Sequence, residues 1–533
     1  MGGRPGGTNR ALVSVWLDFP LVHPCAGRVT GVGLSRVLIA NRGEIALRII
    51  RGCHEAGVEA VAVYSEADRS SPHVRAADAA VEIGAAPASE SYLNVGRLLD
   101  AAVKTGADAV HPGYGFLAER SEFAEAVTQA GLIFVGPPAS AIRAMGDKTE
   151  ARRRMAAAGI PVIPGTTAAA EVVGDAVAAA KEIGYPILLK AAAGGGGKGM
   201  RRANSSDEVA MYFAQASSEA RSAFGDGSIY VEKLIERPRH VEIQVLADDH
   251  GNTIHLGERE CSVQRRHQKL IEETPSPVVD DELRSAMGEA AVQASESVDY
   301  RSAGTVEFLL APDGQFYFLE MNTRLQVEHP ITELAYGVDL VREQLRIAAG
   351  EPISLPSQQL KPRGHAIECR ITAEDVFAGF LPATGRVAYF RAPAGPGVRW
   401  DGGIEAGMAV GLFYDSLLGK LAVWGESRER ALVRMSRALD ELIIAGIATS
   451  QPFHRRVMLD PAFRRGDYDI EYLDRAGREI LAGEPDQTEL ERIAIAAALA
   501  EDGRRSGLGG IAPSDRPPRE SAWLLAARRE ALR

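Results

Sequence analysis

Apolar and polar residues along the first part of the chain follow the order strand, helix, strand, and then continue with further strands. The predicted elements are a strand at 36–40, a helix at 44–56, and strands at 58–64, 109–110 and 132–135. The last two strands each lead into a loop rich in glycine and proline. Strands that alternate with helices and end in such loops are typical of an open parallel sheet. The pattern therefore predicts an N-terminal α/β domain over residues 35–143.

In the central part of the chain the predicted strands follow one another through hairpins. The predicted elements are helices at 139–159 and 331–350, and strands at 186–190, 228–234, 240–247 and 253–256. Another hairpin is predicted around Asp313-Gly314. We expect a second α/β domain over residues 144–350.

The C-terminal part of the chain reads as short strands followed by helices. Strands rich in glycine and proline are predicted from residue 365 to 423, and helices from there to 445, which indicates a third domain over 363–475. The ends lack such patterns. Residues 1–34 are expected to be a disordered extension, and residues 483–533 a disordered or partner-binding tail.

The hairpin around Asp313-Gly314 places two acidic residues opposite each other. If the loop has two residues, Glu307 pairs with Glu320. Directly opposed carboxylates lie about 5 Å apart and repel unless a cation lies between them. Hard oxygen ligands suit Mg²⁺, and Asn322 would share this face of the strand. The hairpin indicates a magnesium site, while a solvent-facing strand would show the same alternation.

Composition narrows the classes of protein. The chain has 533 residues, a net charge of -11 and a pI near 5.6, so it lacks the basic field that holds nucleic acid. Its four cysteines form no C-x-x-C pair, which suits a reducing cytoplasm. We find no apolar run long enough to cross a membrane. A multidomain protein that binds neither nucleic acid nor membrane is expected.

Four consecutive glycines occur in AAAGGGGKGM at residues 191–200. Such a run costs conformational entropy and favours mobility or close approach of the backbone to a ligand. The segment is not a Walker A loop, because Gly199 follows Lys198 where that motif needs serine or threonine. A phosphate-covering lid is one interpretation, since Lys190 and Lys198 border the glycines, and a flexible linker is the other.

Several long motifs occur in fixed order and are together far more specific than a glycine loop. They are VLIANRGEIA (37–46), HPGYG (111–115), MGDK (145–148), AAAGGGGKGM (191–200), PRHVEIQ (238–244), QRRHQK (264–269) and EMNTRLQVEHP (320–330). In these motifs the chain resembles the biotin carboxylases of biotin-dependent acyl-CoA and pyruvate carboxylases, over roughly residues 35–480.

The resemblance implies an α/β fold: an N-terminal open parallel α/β domain, a central ATP-grasp domain with a mobile lid, and a C-terminal biotin carboxylase domain. It also implies site residues. The positions matching the nucleotide site are Lys148, Lys190, Gly196, Gly197, Glu232, Lys233, Ile235, His240, Gln264 and His267. Those matching the metal site are Glu307, Glu320 and Asn322. Those matching the bicarbonate and biotin sites are Lys269, Arg324, Gln326, Val327, Glu328 and Arg370.

The implied reaction is the ATP- and bicarbonate-dependent carboxylation of biotin through carboxyphosphate, with ATP and Mg²⁺ or Mn²⁺ as cofactors. By the resemblance, Glu328 is the base and Arg370 lies at the biotin ureido oxygen. The chemistry is consistent with these roles. Bicarbonate is a poor nucleophile unless a carboxylate removes its proton and cations hold the reacting anions.

The chain lacks one feature of biotin carboxylases that carry their own biotin, which is a lysine flanked by methionines. No lysine in this sequence is adjacent to a methionine. We therefore expect biotin to arrive on a separate biotin carboxyl carrier protein, with a carboxyltransferase subunit completing an acyl-CoA carboxylase. A homodimer is expected from the resemblance alone.

Two other functions share part of this pattern. An ATP-grasp ligase that joins a carboxylate to an amine would use the same metal hairpin, but it leaves Arg370 and the segment 264–269 without a task. A nucleotide sensor without catalysis is disfavoured by the presence of both metal carboxylates and the base.

Overall fold

The computed structural model describes residues 33–166, 168–191, 200–224, 227–356 and 360–482, and positions 491, 494, 495 and 498. The extension expected at 1–34 and the tail expected at 483–533 lie almost entirely outside the described residues. Gly196 and Gly197 also lie outside them. The chain divides into two compact units, Met1–Arg475 and Ala476–Arg533, and the site lies in the first. Among the described residues, no helix has both the length and the apolar character needed to span a membrane.

The N-terminal region contains the open parallel sheet that was predicted. Its strands are β1 (Arg36–Ile39), β2 (Glu59–Ser65), β3 (Ala79–Gly84), β4 (Ala109–His111) and β5 (Ile133–Phe134). They are parallel and lie in the order β3-β2-β1-β4-β5. The helices are α1 (Gly43–Glu55), α2 (Pro72–Ala76), α3 (Val95–Thr105), α4 (Ser121–Gln129), α5 (Ala139–Gly146) and α6 (Lys148–Ala157). Val37, Leu38 and Ile39 are fully buried, as expected for a central parallel strand.

The central region combines a small three-stranded sheet with most of a larger sheet. The small sheet has the order β7-β6-β8. The elements are α7 (Val173–Ile183), β6 (Ile187–Ala191), β7 (Arg201–Ala203), α8 (Ser206–Phe224), β8 (Ile229–Lys233), β9 (Arg239–Ala247), β10 (Thr253–Arg265), β11 (Gln268–Thr274), α9 (Asp281–Glu296), β12 (Ser302–Leu310), β13 (Phe316–Asn322), α10 (His329–Tyr336) and α11 (Leu340–Ala348).

The larger sheet continues into the C-terminal region, where the remaining elements are short. They are β14 (His365–Thr372), β15 (Glu374–Asp375), β16 (Leu381–Pro382), β17 (Gly385–Arg386), β18 (Tyr389–Arg391), β19 (Val398–Gly402), β20 (Ala409–Val410), β21 (Leu417–Gly425), α12 (Arg428–Glu441), β22 (Ile443–Ala445), α13 (Gln451–Val457), α14 (Pro461–Arg465) and α15 (Tyr472–Ala482). The eight strands run in the order β13-β12-β9-β10-β11-β14-β21-β19, so strands distant in sequence become neighbours.

Two helices predicted as continuous are each divided in two. The helix expected at 139–159 is interrupted at Asp147, whose carboxylate accepts hydrogen bonds from the first backbone amides of α6 and so begins a new helix. The helix expected at 331–350 is interrupted at Gly337, which has φ of 69°, and Asp339 caps α11. The strand expected at 253–256 extends to Arg265 as β10.

The hairpin of β12 and β13 pairs Glu307 with Glu320, but the expected two-residue loop is wrong. Ala311 pairs with Gln315 by a 2.8 Å hydrogen bond, which leaves a loop of three residues. The register then shifts between Glu307 and Phe308, and Leu319 is the extra residue of a β-bulge. Because the longer loop and the bulge each move the register by one position, the two errors cancel and the glutamates still face each other.

Candidate active site

The carboxylate of Glu307 is the best-connected acid in the hairpin. It accepts hydrogen bonds from Lys269 Nζ at 2.8 Å and Asn322 Nδ2 at 2.9 Å, and His240 Nε2 lies 3.1 Å away. Burial would raise the pKa of Glu307, but Lys269 and His240 hold it well below the usual range. Burial would likewise lower the pKa of His240, and the Glu307 carboxylate outweighs that effect and raises it. Glu307 is therefore an ionised carboxylate that lies against Lys269 and His240.

Glu320 lies opposite Glu307 in the more open part of the hairpin. Its carboxylate is 3.5 Å from Nζ of Lys148, a side chain with 73% of its surface exposed. Asn322, two residues further along β13, accepts a hydrogen bond from Arg324 on its Oδ1 at 3.0 Å. Two carboxylates and an amide oxygen on one strand pair are the hard donors that Mg²⁺ takes, so the residues fit the ion predicted for them.

Lys269 joins this hairpin to the rest of the polar cluster. Its ammonium group donates to Glu242 at 2.5 Å, to Glu307 at 2.8 Å and to Glu328 at 2.8 Å. Burial would lower the pKa of Lys269, yet the three carboxylates raise it well above the usual value. Lys269 is therefore charged, and it uses all three of its hydrogens on acids.

Glu242 and Arg259 belong to this cluster and were not singled out from the sequence. Arg259 is fully buried, and its guanidinium bonds Glu242 at 2.5 Å, Gln244 at 2.7 Å and Thr305 at 2.9 Å. A charged residue inside an apolar strand is costly unless it is paired. The sequence signal for this cluster was the presence of Glu242 and Gln244 within the otherwise apolar run of β9, because buried polar residues need partners on a neighbouring strand.

Glu328 lies between Lys269 and Arg370 and is completely buried. Its Oε1 accepts from Lys269 at 2.8 Å and its Oε2 from Arg370 at 3.0 Å, while Arg370 Nε also donates to Glu272 at 2.6 Å. Burial would raise the pKa of Glu328, and the two cations hold it well below the usual range. Glu328 is thus an ionised carboxylate clamped by two cations at the inner end of the site.

Arg324 and Gln326 lie on the short segment between β13 and α10. Arg324 donates to Glu119 at 2.9 Å and to Gln326 Oε1 at 2.9 Å, and Gln326 Nε2 approaches Glu307 at 3.3 Å. The carbonyl of Val327 on this segment accepts a 2.9 Å hydrogen bond from Lys420. The structure therefore brings the residues expected to bind bicarbonate to the same place as Glu307.

Of the residues expected at the nucleotide, Lys190, Glu232 and Lys233 lie on the small sheet, and His240 and Gln264 lie on the eight-stranded sheet. Lys190 Nζ and Arg152 both bond the carboxylate of Glu232, at 2.5 Å and 2.6 Å. Lys233 donates to the carbonyls of Gly184 and Tyr185, and Ile235 is half-buried after the end of β8. These contacts occupy the side chains of Glu232 and Lys233 with protein partners, and the backbone N–H of Lys233 donates to the carbonyl of Pro164 at 2.7 Å.

Gln264 and His267 flank the turn between β10 and β11. Gln264 pairs with Lys269 in the register of these strands, whereas His267 is exposed at the turn with φ of 65°. Gln264 therefore lies beside the charged cluster, whereas His267 is exposed.

Three family models match consecutive segments of the chain. The model described as biotin carboxylase, N-terminal domain matches residues 33–142, and that described as carbamoyl-phosphate synthase L chain, ATP binding domain matches 147–356. The model described as biotin carboxylase C-terminal domain matches 368–475.

Individual relatives cover most of the chain. It is 51% identical over 444 residues to a biotin carboxylase of Nostoc sp., covering 83% of this chain and 99% of the relative. It is also 51% identical over 464 residues to one of the subunits of pyruvate carboxylase from Methanothermobacter thermautotrophicus, covering 86% and 94%.

Solved structures give the same result. A Campylobacter jejuni biotin carboxylase in a β-γ-ATP complex is 47% identical with a TM-score of 0.78, covering 83% of this chain and 99% of that one. The biotin carboxylase domain dimer of Hydrogenobacter thermophilus 2-oxoglutarate carboxylase, with MgADP, ADP and bicarbonate, is 44% identical with a TM-score of 0.79, covering 85% and 99%.

The three-region fold and the carboxylate hairpin beside lysines define an ATP-dependent enzyme of the ATP-grasp class. The chain belongs to the biotin carboxylase family. It is a ligase that carboxylates biotin with ATP and Mg²⁺. The predicted fold class, enzyme class and cofactors are thereby confirmed.

Proposed function

We propose that the protein carboxylates biotin on a separate carrier protein, through carboxyphosphate, as the first half-reaction of an acyl-CoA carboxylase. The observation that carries the proposal is the position of Glu328, a buried carboxylate held by Lys269 at 2.8 Å and Arg370 at 3.0 Å. A base between two cations suits an anionic substrate, because the same cations bind the anion and orient it toward the base.

Glu328 is the base that removes the proton of bicarbonate in this proposal. In the resting structure both cations lower its pKa, which makes it a weak base. When bicarbonate binds to Lys269 and Arg370, these two cations stabilise the Glu328 carboxylate less. The pKa of Glu328 then rises, and it becomes a stronger base. Arg324 and Gln326 hold the anion on the side of Glu307, where the phosphates are expected.

Phosphoryl transfer takes place at the hairpin. The bicarbonate oxygen attacks the γ-phosphorus of ATP, which forms carboxyphosphate and releases ADP. Glu307, Glu320 and Asn322 would hold Mg²⁺, which neutralises the developing charge on the phosphate oxygens when bound. Lys148, His240 and Lys190 add positive charge around the same phosphates.

Carboxyphosphate then breaks down to carbon dioxide and phosphate, and phosphate takes the proton from N1 of biotin. The N1 lone pair attacks carbon dioxide to form the new C–N bond. Arg370 stabilises the negative charge that develops on the ureido oxygen, and it is held for this role by Glu272 at Nε and Glu328 at Nη2.

The test is ADP release by the purified protein with and without bicarbonate and free biotin. We expect turnover that depends on bicarbonate and rises with biotin, and a loss of about 10²- to 10⁴-fold in kcat for Glu328→Gln, the usual contribution of a general base. Turnover that depends on an amine instead would establish the carboxylate-amine ligase, and ATP binding without turnover would establish the sensor.

The acyl-CoA substrate and the partners are the finer part of the proposal. Relatives include proteins of a pyruvate carboxylase and of a 2-oxoglutarate carboxylase. We propose that the partners are a biotin carboxyl carrier protein and a carboxyltransferase subunit. We also propose a homodimer. A cytoplasmic location is proposed as well, because the buried free thiols Cys53, Cys261 and Cys369 suit a reducing compartment. Carboxyl transfer from the carboxylated carrier to acetyl-CoA or propionyl-CoA, compared with pyruvate and 2-oxoglutarate, decides the substrate.

A further inference from the structure

Lys420 in β21 is a charged residue with no exposed surface, and it lies next to the bicarbonate-binding segment. Its Nζ donates to the carbonyl of Val327 at 2.9 Å and forms an ion pair with Glu44 at 3.1 Å. The ammonium group also lies 5.7 Å from the ring centroid of Tyr114. A buried lysine destabilises the fold unless its hydrogens are used in hydrogen bonds. The structure uses them on one acid and one main-chain oxygen.

Two of the residues around the Lys420 ammonium group, Glu44 and Tyr114, belong to N-terminal motifs for which the proposed reaction has no task. Glu44 lies in the first turn of α1 in the motif at 37–46, and its carboxylate accepts a hydrogen bond from the hydroxyl of Tyr114 in the motif at 111–115. Asn41 ties the same two motifs together by donating to the carbonyls of Pro112 and Tyr114. Both motifs therefore converge on one buried cation of the C-terminal region.

The segment that Lys420 reaches has little regular structure of its own. Residues 323–328 connect the end of β13 to the start of α10 and form neither strand nor helix. Such a segment keeps its shape through side-chain contacts. Val327 immediately precedes Glu328, so the hydrogen bond to its carbonyl limits where the Glu328 backbone can lie.

We propose that Lys420 is a positioning residue that fixes Val327 and Glu328 for bicarbonate, and that Glu44 holds Lys420 in place. The inference rests on the proposed function for its kinetic consequence. The Lys420 ammonium group bonds neither Lys269 nor Arg370, although Lys420 and Arg370 are paired in the register of β21 and β14. It acts on the backbone of the bicarbonate segment. Its loss is thus expected to affect bicarbonate much more than ATP.

The variants are Lys420→Met, the double variant Glu44→Gln/Lys420→Met, and Arg428→Met as a matched control. The single change strands the buried Glu44 carboxylate and can destabilise the fold, whereas the double variant removes that charge too. Arg428 is a cation on a buried carboxylate with 18% of its own side chain exposed. It donates to Glu273 at 2.7 Å and to the carbonyls of Phe463 and Arg464, and it has no contact with Val327 among the described residues.

Two readouts are compared, the KM values for bicarbonate and ATP, and amide hydrogen exchange of residues 323–331. For Lys420→Met and the double variant we expect the KM for bicarbonate to rise at least about tenfold with the KM for ATP within about twofold, because small misplacements of a reacting group cost large factors. Exchange in the segment should also become faster. The double variant should recover thermal stability without recovering the KM for bicarbonate, and Arg428→Met should leave both readouts unchanged.

The proposal is overturned if exchange in the segment is unchanged in the double variant, if KM rises equally for bicarbonate and ATP, or if Arg428→Met produces the same pattern. If the wild-type protein shows no bicarbonate-dependent turnover, the proposed function fails. Exchange of residues 323–331 then decides the positioning role of Lys420 by itself.

Discussion

Among the described residues, the eight-stranded sheet contains four pairs of directly opposed glutamates, and two of these pairs have contrasting surroundings. Glu307 faces Glu320 across β12 and β13, and Glu272 faces Glu368 across β11 and β14. Glu307 has Lys269 and His240 as partners, and its pKa is held well below the usual range despite burial. In the second pair, burial raises the pKa of Glu272 to about 7, although Arg370 opposes the change.

Glu368 completes the contrast. It is fully buried, and neither of its carboxylate oxygens has a hydrogen-bond partner among the described residues. Burial raises its pKa well above the usual value, while Lys420 opposes the rise and Glu272 adds to it. Opposed acids therefore do not by themselves define a metal site. The pKa of Glu307 is lowered where Lys269 and His240 lie against its carboxylate, whereas burial raises the pKa of Glu368, whose oxygens have no hydrogen-bond partner among the described residues.

Glu328 lies between the two pairs and shares a cation with each. Lys269 bonds both Glu307 and Glu328, and Arg370 bonds both Glu272 and Glu328. The base is therefore coupled on one side to Glu307, whose pKa is lowered, and on the other to Glu272, whose pKa is raised.

The largest difference is expected in activity. Glu307→Gln should lower kcat for biotin-dependent ATP turnover by about 100-fold or more, because metal charge stabilisation is worth several kcal/mol. Glu368→Gln should retain activity within about threefold, because glutamine resembles the protonated acid. Equal losses in the two variants, measured as ADP release, would remove the distinction between the pairs.

The pH dependence of stability should have opposite signs in the two pairs. Glu368 has a raised pKa in the fold, so its contribution is present at low pH and is lost as the pH rises above 4.5, at up to about 1.4 kcal/mol per pH unit. Glu368→Gln should abolish that loss. Glu307 has a lowered pKa, so its contribution is present above 4.5 and is lost as the pH falls. Urea unfolding midpoints of both variants across pH measure the slopes, and slopes of the same sign would contradict the comparison.

The smallest effect is expected at the exposed end of the first pair. Lys148 lies 3.5 Å from Glu320 and is 73% exposed, so Lys148→Met should change the free energy of unfolding by less than about 1 kcal/mol. The KM of the Lys148→Met variant for ATP should rise about tenfold, because Lys148 is expected to contact the ATP phosphates. Arg153, an exposed cation on the same helix that pairs with Glu150, is the control, and Arg153→Met should leave the KM for ATP unchanged. If the KM for ATP changes equally in Lys148→Met and Arg153→Met, Lys148 is not part of the nucleotide site.

The first glutamate pair was predictable from the sequence and the second was not. Glu307 and Glu320 lie on consecutive strands joined by one turn, so local alternation was sufficient, even though the loop length was wrong. Glu272 and Glu368 are brought together by strands nearly one hundred positions apart, and local patterns do not encode such pairings.

The same limit hid other residues of the cluster. Arg259 meets Glu242 only once β9 and β10 are paired, and Lys420 meets Val327 only once the C-terminal strands join the sheet. Parallel strands, helix caps and motif residues such as Glu328 can be predicted from the local sequence. The partner of a buried charge cannot, because the sequence shows only that the charge needs a partner.

Binding of Mn²⁺ in the presence of ADP, followed by electron paramagnetic resonance, tests most directly whether neighbouring cations make the first pair the metal site. We expect Glu307→Gln to weaken Mn²⁺ binding by at least about tenfold and Glu368→Gln to leave it within about twofold of the wild type. Wild-type affinity in Glu307→Gln, or an equal loss in Glu368→Gln, would contradict the account.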